Sequence, residues 1–401
     1  MKPATQTFFL KAALFTAPVW LALGLEAFAL PIDAFTFRCW EALARGEGPW
    51  RSKWVPGAPF YPGIRLEKVE TGDLGHNTEF AVAKPVVWQT DDWGYRKSPS
   101  EQGPYDAVIV GDSFTAGAAL TQRDTLFEVF QSITGWRTYP YAPGRMSDLL
   151  ADKRFHDAPP RVVVLQIVES FAIWILAKEE NNPGAIEPAF RLRDWGLATP
   201  ARAYEQFADR LDRITKVVML NWSRARIRDA ARRVAHELLT GRPPRGQPRL
   251  GVVGSDGNTL FHLGRSEYIK RPPQLVEAAV ARVALFRKAL EARGVRFLVL
   301  AVPSKENIYG DLLGGTPNPT FQDQFVAELT KEGVECIDLQ KSFRAARAEG
   351  KTLYHRDDSH WTPLGARIAA EQLARAISDP EQETKVQESE TTKEWKSASN
   401  Q

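Results

Sequence analysis

Two short blocks carry the residue types that acyl-transfer chemistry needs. The first is Gly111-Asp112-Ser113, which follows Asp106-Ala107-Val108-Ile109-Val110 and runs into Phe114-Thr115-Ala116-Gly117. The apolar residues have the composition of a short buried strand. A strand that ends in a tight glycine turn before a helix start sets a serine hydroxyl at the carboxyl end of a sheet, where open α/β sheets hold their reactive groups. A serine hydroxyl is a weak nucleophile until a base removes its proton. The candidate base is His360, far downstream in Asp357-Asp358-Ser359-His360-Trp361. With an aspartate orienting the imidazole, Ser113 would attack an acyl carbonyl while His360 takes and returns its proton. Gly-Asp-Ser alone is also the composition of an ordinary turn; the pairing with an Asp-His block gives it weight. The other histidines, His76, His156, His236, His262 and His355, read as surface or packing residues, with His355 the alternative base if His360 points away.

These blocks need a scaffold, and the chain between them alternates as a parallel sheet covered on both faces requires. Segments 107–110, 136–141 and 161–168 read as strands, with helical patterns at 125–133 and 146–154 between them. A hairpin is expected at 250–261 around Ser255-Asp256-Gly257-Asn258. A long helix follows at 273–293, with Leu275, Val276, Ala279, Val283, Phe286 and Leu290 at three- and four-residue spacing and Gly294 as its C-cap. Then come a strand at 296–302, a helix at 321–332, a strand at 335–339 and a last helix at 363–377. Thr362 can cap that helix with Pro363 at its first position, so His360 lies just ahead of a helix start. The fold class is α/β, with a central mainly parallel sheet and a helical insertion.

The core domain is placed at 105–378, and the rest of the chain divides around it. Residues 1–30 hold the one long apolar stretch, from Phe8 to Leu30, ending near the small-x-small site Ala27-Phe28-Ala29. They read as a cleaved signal peptide or an uncleaved N-terminal membrane anchor. Residues 31–104, rich in Trp, Pro and Gly, read as an extended segment with small strands that packs on the core through its aromatics. Residues 170–250 interrupt the alternation as a helical, basic insertion carrying Arg224, Arg226, Arg228, Arg232 and Arg233. That insertion builds a cleft wall or docking face, or is simply a solvated surface. Residues 379–401 are polar and charged and are expected to be disordered. A net charge of +3 gives no overall field favouring nucleic acid. No CxxC or Cys/His cluster marks a metal site and no nucleotide motif is present, so neither metal nor cofactor is expected. Cys39 and Cys336 could pair in an oxidising compartment; a buried free thiol is the preferred reading of Cys336.

The two blocks resemble the SGNH hydrolase superfamily, in which the serine of a Gly-Asp-Ser block is the nucleophile and a C-terminal Asp-His pair completes a triad. The resemblance implies a three-layer α/β/α fold. It narrows to the alginate O-acetyltransferase family of AlgX and AlgJ. Asp256-Gly257-Asn258-Thr259-Leu260-Phe261 is similar to that family's DGWLF block. Val302-Pro303-Ser304-Lys305 with Ile308-Tyr309 is similar to its VPxK…IY block, and Asp358-Ser359-His360-Trp361-Thr362 to its DTHW block. Thr90-Asp91-Asp92-Trp93-Gly94-Tyr95-Arg96 resembles a TNxxGFR block of SGNH-like exopolysaccharide proteins. One feature departs from AlgX and AlgJ: there the Asp-His block precedes the serine block, whereas here the serine comes first, as in ordinary SGNH hydrolases.

The resemblance implies catalytic roles for Ser113, His360 and Asp358, with Asp357 as the orienting carboxylate if the ordinary SGNH spacing applies. It implies an oxyanion hole from the backbone N–H groups of Ser113 and Gly144. The superfamily's third donor, an asparagine after the third strand, is missing from Leu165-Gln166-Ile167-Val168-Glu169-Ser170, where Gln166 is a substitute only if it faces the site. Arg96, Arg145, Gln166, Lys305 and Trp361 are candidate substrate contacts. The implied function is an exported SGNH-type O-acetyltransferase or acetylesterase that acts on an exopolysaccharide through an acyl-enzyme. Its expected location is the periplasm, free or held at the inner membrane by its N-terminus. A membrane-bound O-acyltransferase is the implied partner that supplies acyl groups. The alternative is a catalytically weak or inactive SGNH-fold carbohydrate-binding subunit of a polysaccharide assembly complex.

Overall fold

A computed structural model describes residues 3–28, 36–44, 59–76, 78–98, 103–169, 238–239, 251–262, 273–315 and 320–378. The tail expected at 379–401, the basic helix within the expected insertion and Ala29 of the expected cleavage site lie outside the described residues. The chain begins with helix α1 (Pro3–Phe28), on which Phe8, Leu10, Phe15, Trp20 and Leu21 are exposed. Among the described residues no helix is long and apolar enough to cross a membrane, so the expected anchor is not supported.

The short helix α2 (Cys39–Leu43) and the strands β1 (Arg65–Glu70) and β2 (Lys84–Gln89) follow. The strands pair antiparallel, with Arg65 opposite Gln89 and Glu70 opposite Lys84. Their apolar side chains form a cluster of Cys39, Leu43, Phe60, Val86 and Trp88 that closes on Ala116 and Ala142. Those two alanines lie in the turns that leave the first two strands of the core sheet, so this segment packs directly beside the end of the sheet where a site belongs.

The core continues with β3 (Ala107–Val110), α3 (Leu126–Thr134), β4 (Thr138–Tyr141), α4 (Met146–Ala151), α5 (Lys153–Asp157) and β5 (Val162–Val168). A small antiparallel hairpin, β6 (Gly251–Val253) and β7 (Leu260–His262), precedes α6 (Pro273–Glu291) and β8 (Arg296–Val302). The last elements are α7 (Lys305–Ile308), α8 (Phe321–Lys331), β9 (Cys336–Asp338), α9 (Gln340–Ala348) and α10 (Pro363–Ser378). The single helix expected over 146–154 is two helices, because the Asp152 side chain accepts the Arg154 N–H at 3.1 Å and caps a new start.

Strands β4, β3, β5, β8 and β9 form one parallel sheet in that order. Their residues alternate between two cores. Ala107, Ile109, Val162, Val164, Leu298 and Leu300 meet α3, α9 and α10 on one face. Val108, Val110, Val163, Leu165, Phe297 and Val299 meet α4, α6 and α8 on the other. Burial on both faces explains why these strands are near-continuous apolar runs. The chain leaves β3 towards β4 on one side and later returns to β5 on the other. That reversal opens a crevice at the carboxyl end of β3. Cys39 and Cys336 do not form a disulfide: Cys39 is buried in the N-terminal cluster and Cys336 is half-buried on the edge strand β9.

Candidate active site

Ser113 stands three residues beyond β3, in a turn that only a glycine can begin. A Cβ on Gly111 would lie 2.3 Å from Thr115 Oγ1 and 2.5 Å from Gln166 Oε1. Asp112 Oδ1 accepts the Phe114 N–H at 2.9 Å, and the Asp112 carbonyl accepts the Ala116 N–H at 3.0 Å. These bonds tighten the turn around a half-buried Ser113. His360 lies just ahead of α10, in a loop tied by an isolated bridge between Tyr354 and Trp361. The Phe114 ring sits 4.9 Å from the His360 ring and 5.1 Å from that of Trp361, so the turn and the loop pack on each other.

The result is a continuous polar chain. Ser113 Oγ is 2.8 Å from His360 Nε2, and His360 Nδ1 is 2.6 Å from Asp358 Oδ1. Asp358 Oδ1 also accepts the His360 backbone N–H at 3.0 Å. Burial alone would raise the Asp358 carboxyl, but the charge and hydrogen bond of His360, with Arg38 beyond, hold it well below the usual carboxylate range. An ionised aspartate behind an imidazole that faces a hydroxyl is the arrangement that lets a serine lose its proton on attack.

Other expected site residues are placed differently. Asp357 does not orient His360: its carboxylate accepts Lys84 Nζ at 2.8 and 3.0 Å and the N–H groups of Gly72 and Val82, each at 2.8 Å. The Gly144 N–H donates to the Gly111 carbonyl at 3.0 Å, because the turn after β4 closes back on the turn after β3. It is therefore engaged and does not complete an oxyanion pair. The Ser113 amide makes no hydrogen bond among the described residues. Gln166 is buried, accepts Thr115 Oγ1–H at 2.8 Å and leaves its Nε2 buried without a partner.

Arg96 is fully buried and does not reach a substrate. It donates to the carbonyls of Val87, Ala116, Gly117 and Leu120, lies 3.8 Å over Trp88 and thereby holds the loop that follows Ser113. Burial pulls its guanidinium down to about 10, with Glu70 opposing. Lys305 is likewise internal: its Nζ reaches the carbonyls of Leu260 and His355, both at 2.6 Å, and of Asp358 at 3.0 Å. It ties the β7 hairpin to the His360 loop, and burial pulls its ammonium down to about 8. Trp361 is wholly buried in the core and supports Phe114. Arg145 is exposed at the end of β4, paired with Asp148 at 3.0 Å.

The sequence reading missed the N-terminal clasp on the His360 loop. Asp73 Oδ1 and Oδ2 accept the N–H and O–H of Ser359 at 2.8 and 2.6 Å, and the Asp73 N–H donates to Asp358 Oδ2 at 3.0 Å. Gly72 makes this approach possible, since a Cβ there would lie 2.0 Å from the Asp357 carbonyl oxygen. Thr71-Gly72-Asp73 looks like any polar turn, so no sequence signal marked it. Glu169 was also missed: raised by burial, its carboxylate accepts Ser304 N–H and Oγ–H and Asn307 Nδ2–H, joining the ends of β5 and β8 to α7. Asp73, Asp358 and His360 offer possible metal-ligating atoms within 4.8 Å of one another, but His360 Nδ1 and Asp358 Oδ1 are already bonded to each other.

His355, beneath this loop, makes the fold sensitive to acid. Burial, opposed by Asp358 and reinforced by Lys84, pulls its imidazole from 6.5 down to about 4. The unfolded chain therefore takes up this proton first. The stability given by the neutral ring is complete above about pH 6.5 and lost as the pH falls to about 4, amounting to at most about 3 kcal/mol. Glu70, Asp73, Asp91 and Glu169, raised by burial, act with the opposite sign. The readout is accordingly a difference: His355→Gln should flatten the pH dependence of the urea midpoint over that range. Parallel curves for variant and wild type would reject the assignment.

Residues 252–401 match the family described as the SGNH hydrolase-like domain of the acetyltransferase AlgX. A "Probable alginate O-acetylase AlgJ" of Pseudomonas syringae pv. tomato is 35% identical over 134 residues, covering 32% of this chain and 34% of the relative. The protein of that name in Pseudomonas aeruginosa is 31% identical over 140 residues, covering 33% and 34%. The chain thus spans about a third of the length of these relatives. Among solved structures, the acetyl xylan esterase AlAXEase aligns with a TM-score of 0.30 and 14% identity, covering 68% of this chain and 99% of that one. The fold is of the SGNH hydrolase-like class, with helices on both faces of a parallel sheet. More narrowly, it is the C-terminal part of the chain that is similar to the AlgX domain and to the AlgJ proteins. The family match includes Lys305, Asp358 and His360 and leaves Ser113 outside.

Proposed function

We propose that this chain is an exported SGNH-type O-acetyltransferase, or acetylesterase, that acts on an exopolysaccharide through Ser113, His360 and Asp358. The observation that carries the proposal is the pair of bonds from Ser113 Oγ to His360 Nε2, 2.8 Å, and from His360 Nδ1 to Asp358 Oδ1, 2.6 Å. Ser113 Oγ attacks the donor's acyl carbonyl as His360 Nε2 takes its proton, and the carbonyl electron pair moves onto oxygen. Collapse re-forms the carbonyl and expels the donor's leaving group, which takes the proton from His360 and leaves an acetyl ester on Ser113. A sugar hydroxyl then attacks that ester while giving its proton to His360. The second collapse returns the proton to Ser113 Oγ and releases the O-acetylated sugar; water in place of the sugar gives acetate. Asp358 keeps the imidazole in the Nδ1–H tautomer and stabilises the imidazolium. The Ser113 amide faces the developing oxyanion, and Arg145 lines the rim. Transfer to a polysaccharide is favoured over hydrolysis by the naming of the relatives as alginate O-acetylases. A membrane-bound O-acyltransferase supplies the acyl group.

The test is the intermediate itself. Protein treated with p-nitrophenyl acetate and quenched in acid should carry one acetyl group on the peptide containing Ser113. A chain that neither releases p-nitrophenol above the buffer rate nor gains that acetyl group would overturn the reading. The non-catalytic assembly-subunit reading is favoured by one observation: Gly144 N–H is engaged and β5 carries no asparagine, so of the three oxyanion donors that the resemblance implies, only Ser113 N–H is open among the described residues. Each missing donor removes about 3 kcal/mol of transition-state stabilisation. In that case the chain should bind polysaccharide without acquiring the acetyl label.

Export is supported by α1, whose large apolar side chains are exposed from Phe8 to Leu21. Alkaline phosphatase fused just after Phe60 should be active, since it folds only outside the cytoplasm. An inactive phosphatase fusion, with a cytosolic reporter active at the same junction, would reject export.

A further inference from the structure

We infer that Asp73 is a positioning residue that keeps His360 in the one tautomer able to accept the Ser113 proton; this deepens the acyl-transfer reading and rests on it. For His360 Nε2 to act as a base, the ring proton has to sit on Nδ1, donated to Asp358 Oδ1 at 2.6 Å. A competitor is close by. Ser359 Oγ lies 3.4 Å from the same Nδ1. A hydroxyl that turned its proton onto Nδ1 would make that nitrogen an acceptor. The ring proton would then sit on Nε2, facing Ser113, and the base would be lost.

Asp73 removes this competitor. Its Oδ2 takes the Ser359 hydroxyl proton at 2.6 Å, a charge-assisted bond that outweighs a contact at 3.4 Å. Its Oδ1 holds the Ser359 N–H at 2.8 Å, which fixes the residue between Asp358 and His360. Its own N–H holds Asp358 Oδ2 at 3.0 Å, so the other oxygen of that carboxylate is left aimed at Nδ1. One residue therefore acts on both neighbours of His360, from a segment far away in sequence. The placement has a cost: burial, and then the Asp358 charge, raise the Asp73 carboxyl. A turn that served only to fasten the loop would not need a second carboxylate beside the first, since Gly72, Leu74 and Gly75 already bind Asp357 through their N–H groups.

The experiment is a double-mutant cycle on Asp73 and Ser359, read by p-nitrophenyl acetate turnover and by the ring-nitrogen shifts of His360 in ¹⁵N-labelled protein. Asp73→Ala should lower kcat by about 10- to 100-fold with KM little changed. Its His360 Nδ1 resonance should move towards the unprotonated position. Adding Ser359→Ala to Asp73→Ala should restore most of the loss, because no hydroxyl remains to compete. Asp73→Asn, which keeps the size and one acceptor for that hydroxyl, should lose less than Asp73→Ala and covers the case of a misfolded alanine variant. A double variant no faster than Asp73→Ala, or unchanged nitrogen shifts in Asp73→Ala, would overturn the inference. The nitrogen shifts do not need turnover. A wild-type chain that never acetylates Ser113 would remove the acyl-transfer reading and leave the tautomer assignment to be decided by those shifts.

Discussion

Ser113→Ala and Asp358→Asn should each fold like the wild type and each lose about 10⁴-fold or more in acetyl release. Ser113 carries the atom that takes the acetyl group, so its loss leaves only background hydrolysis. Asp358→Asn is the subtler change. The carboxamide is nearly isosteric and its oxygen can still accept the His360 backbone N–H that Asp358 holds at 3.0 Å. If its NH₂ group instead faces Nδ1, it donates, the ring proton moves to Nε2, and the base is gone. In a serine protease triad this exchange costs about 10⁴-fold, which sets the scale. Asp357→Asn should behave in the opposite way, since that carboxylate faces Lys84, Gly72 and Val82. Its kcat, per folded molecule, should stay within about threefold of wild type while its stability drops. The measurement is kcat for p-nitrophenyl acetate beside a circular dichroism melt for each variant. A slow Asp357→Asn with a normal melt, and a fast Asp358→Asn, would transfer the orienting role to Asp357.

The chemistry-bearing blocks were legible because each is local. Ala107 to Ser113 gives strand, glycine turn and serine in seven consecutive residues, and Asp358 to Pro363 gives carboxylate, imidazole and helix cap in six. The parallel core was legible for a related reason: strands buried on both faces are runs of Val, Ile and Leu that stand out from amphipathic helices such as α6. What escaped was contact between residues distant in sequence. Arg96 and Lys305 carry charge, which in a sequence points to solvent or substrate. The fold surrounds each with backbone carbonyls, where a cation serves as a cross-tie. Gly144 was placed by the resemblance, but its N–H direction depends on how the turns after β3 and β4 meet, which no local pattern encodes. The His-Trp-Thr that follows Asp358 favoured it as the orienting carboxylate, but the ordinary SGNH spacing left Asp357 open. Only the arrival of Lys84 from β2 separates the fastening carboxylate from the orienting one.

That separation leads to the largest expected effect on stability. Lys84→Ala should cost about 3–5 kcal/mol, because it leaves the Asp357 carboxylate buried without its cation. The pair is 2.8 Å apart, with side-chain exposures of 10% and 1%, so solvent cannot replace the lost partner. Removing both charges should cost less than removing one: Lys84→Met with Asp357→Leu leaves no buried charge. Recovery should be incomplete, since the N–H groups of Gly72 and Val82 then lose the oxygen they share. Urea unfolding of the two single variants and the double gives the coupling energy directly. A Lys84→Ala chain within about 0.5 kcal/mol of wild type would mean that Asp357 is held well enough by backbone N–H groups alone, and that the clasp between the N-terminal segment and the His360 loop does not depend on its ion pair.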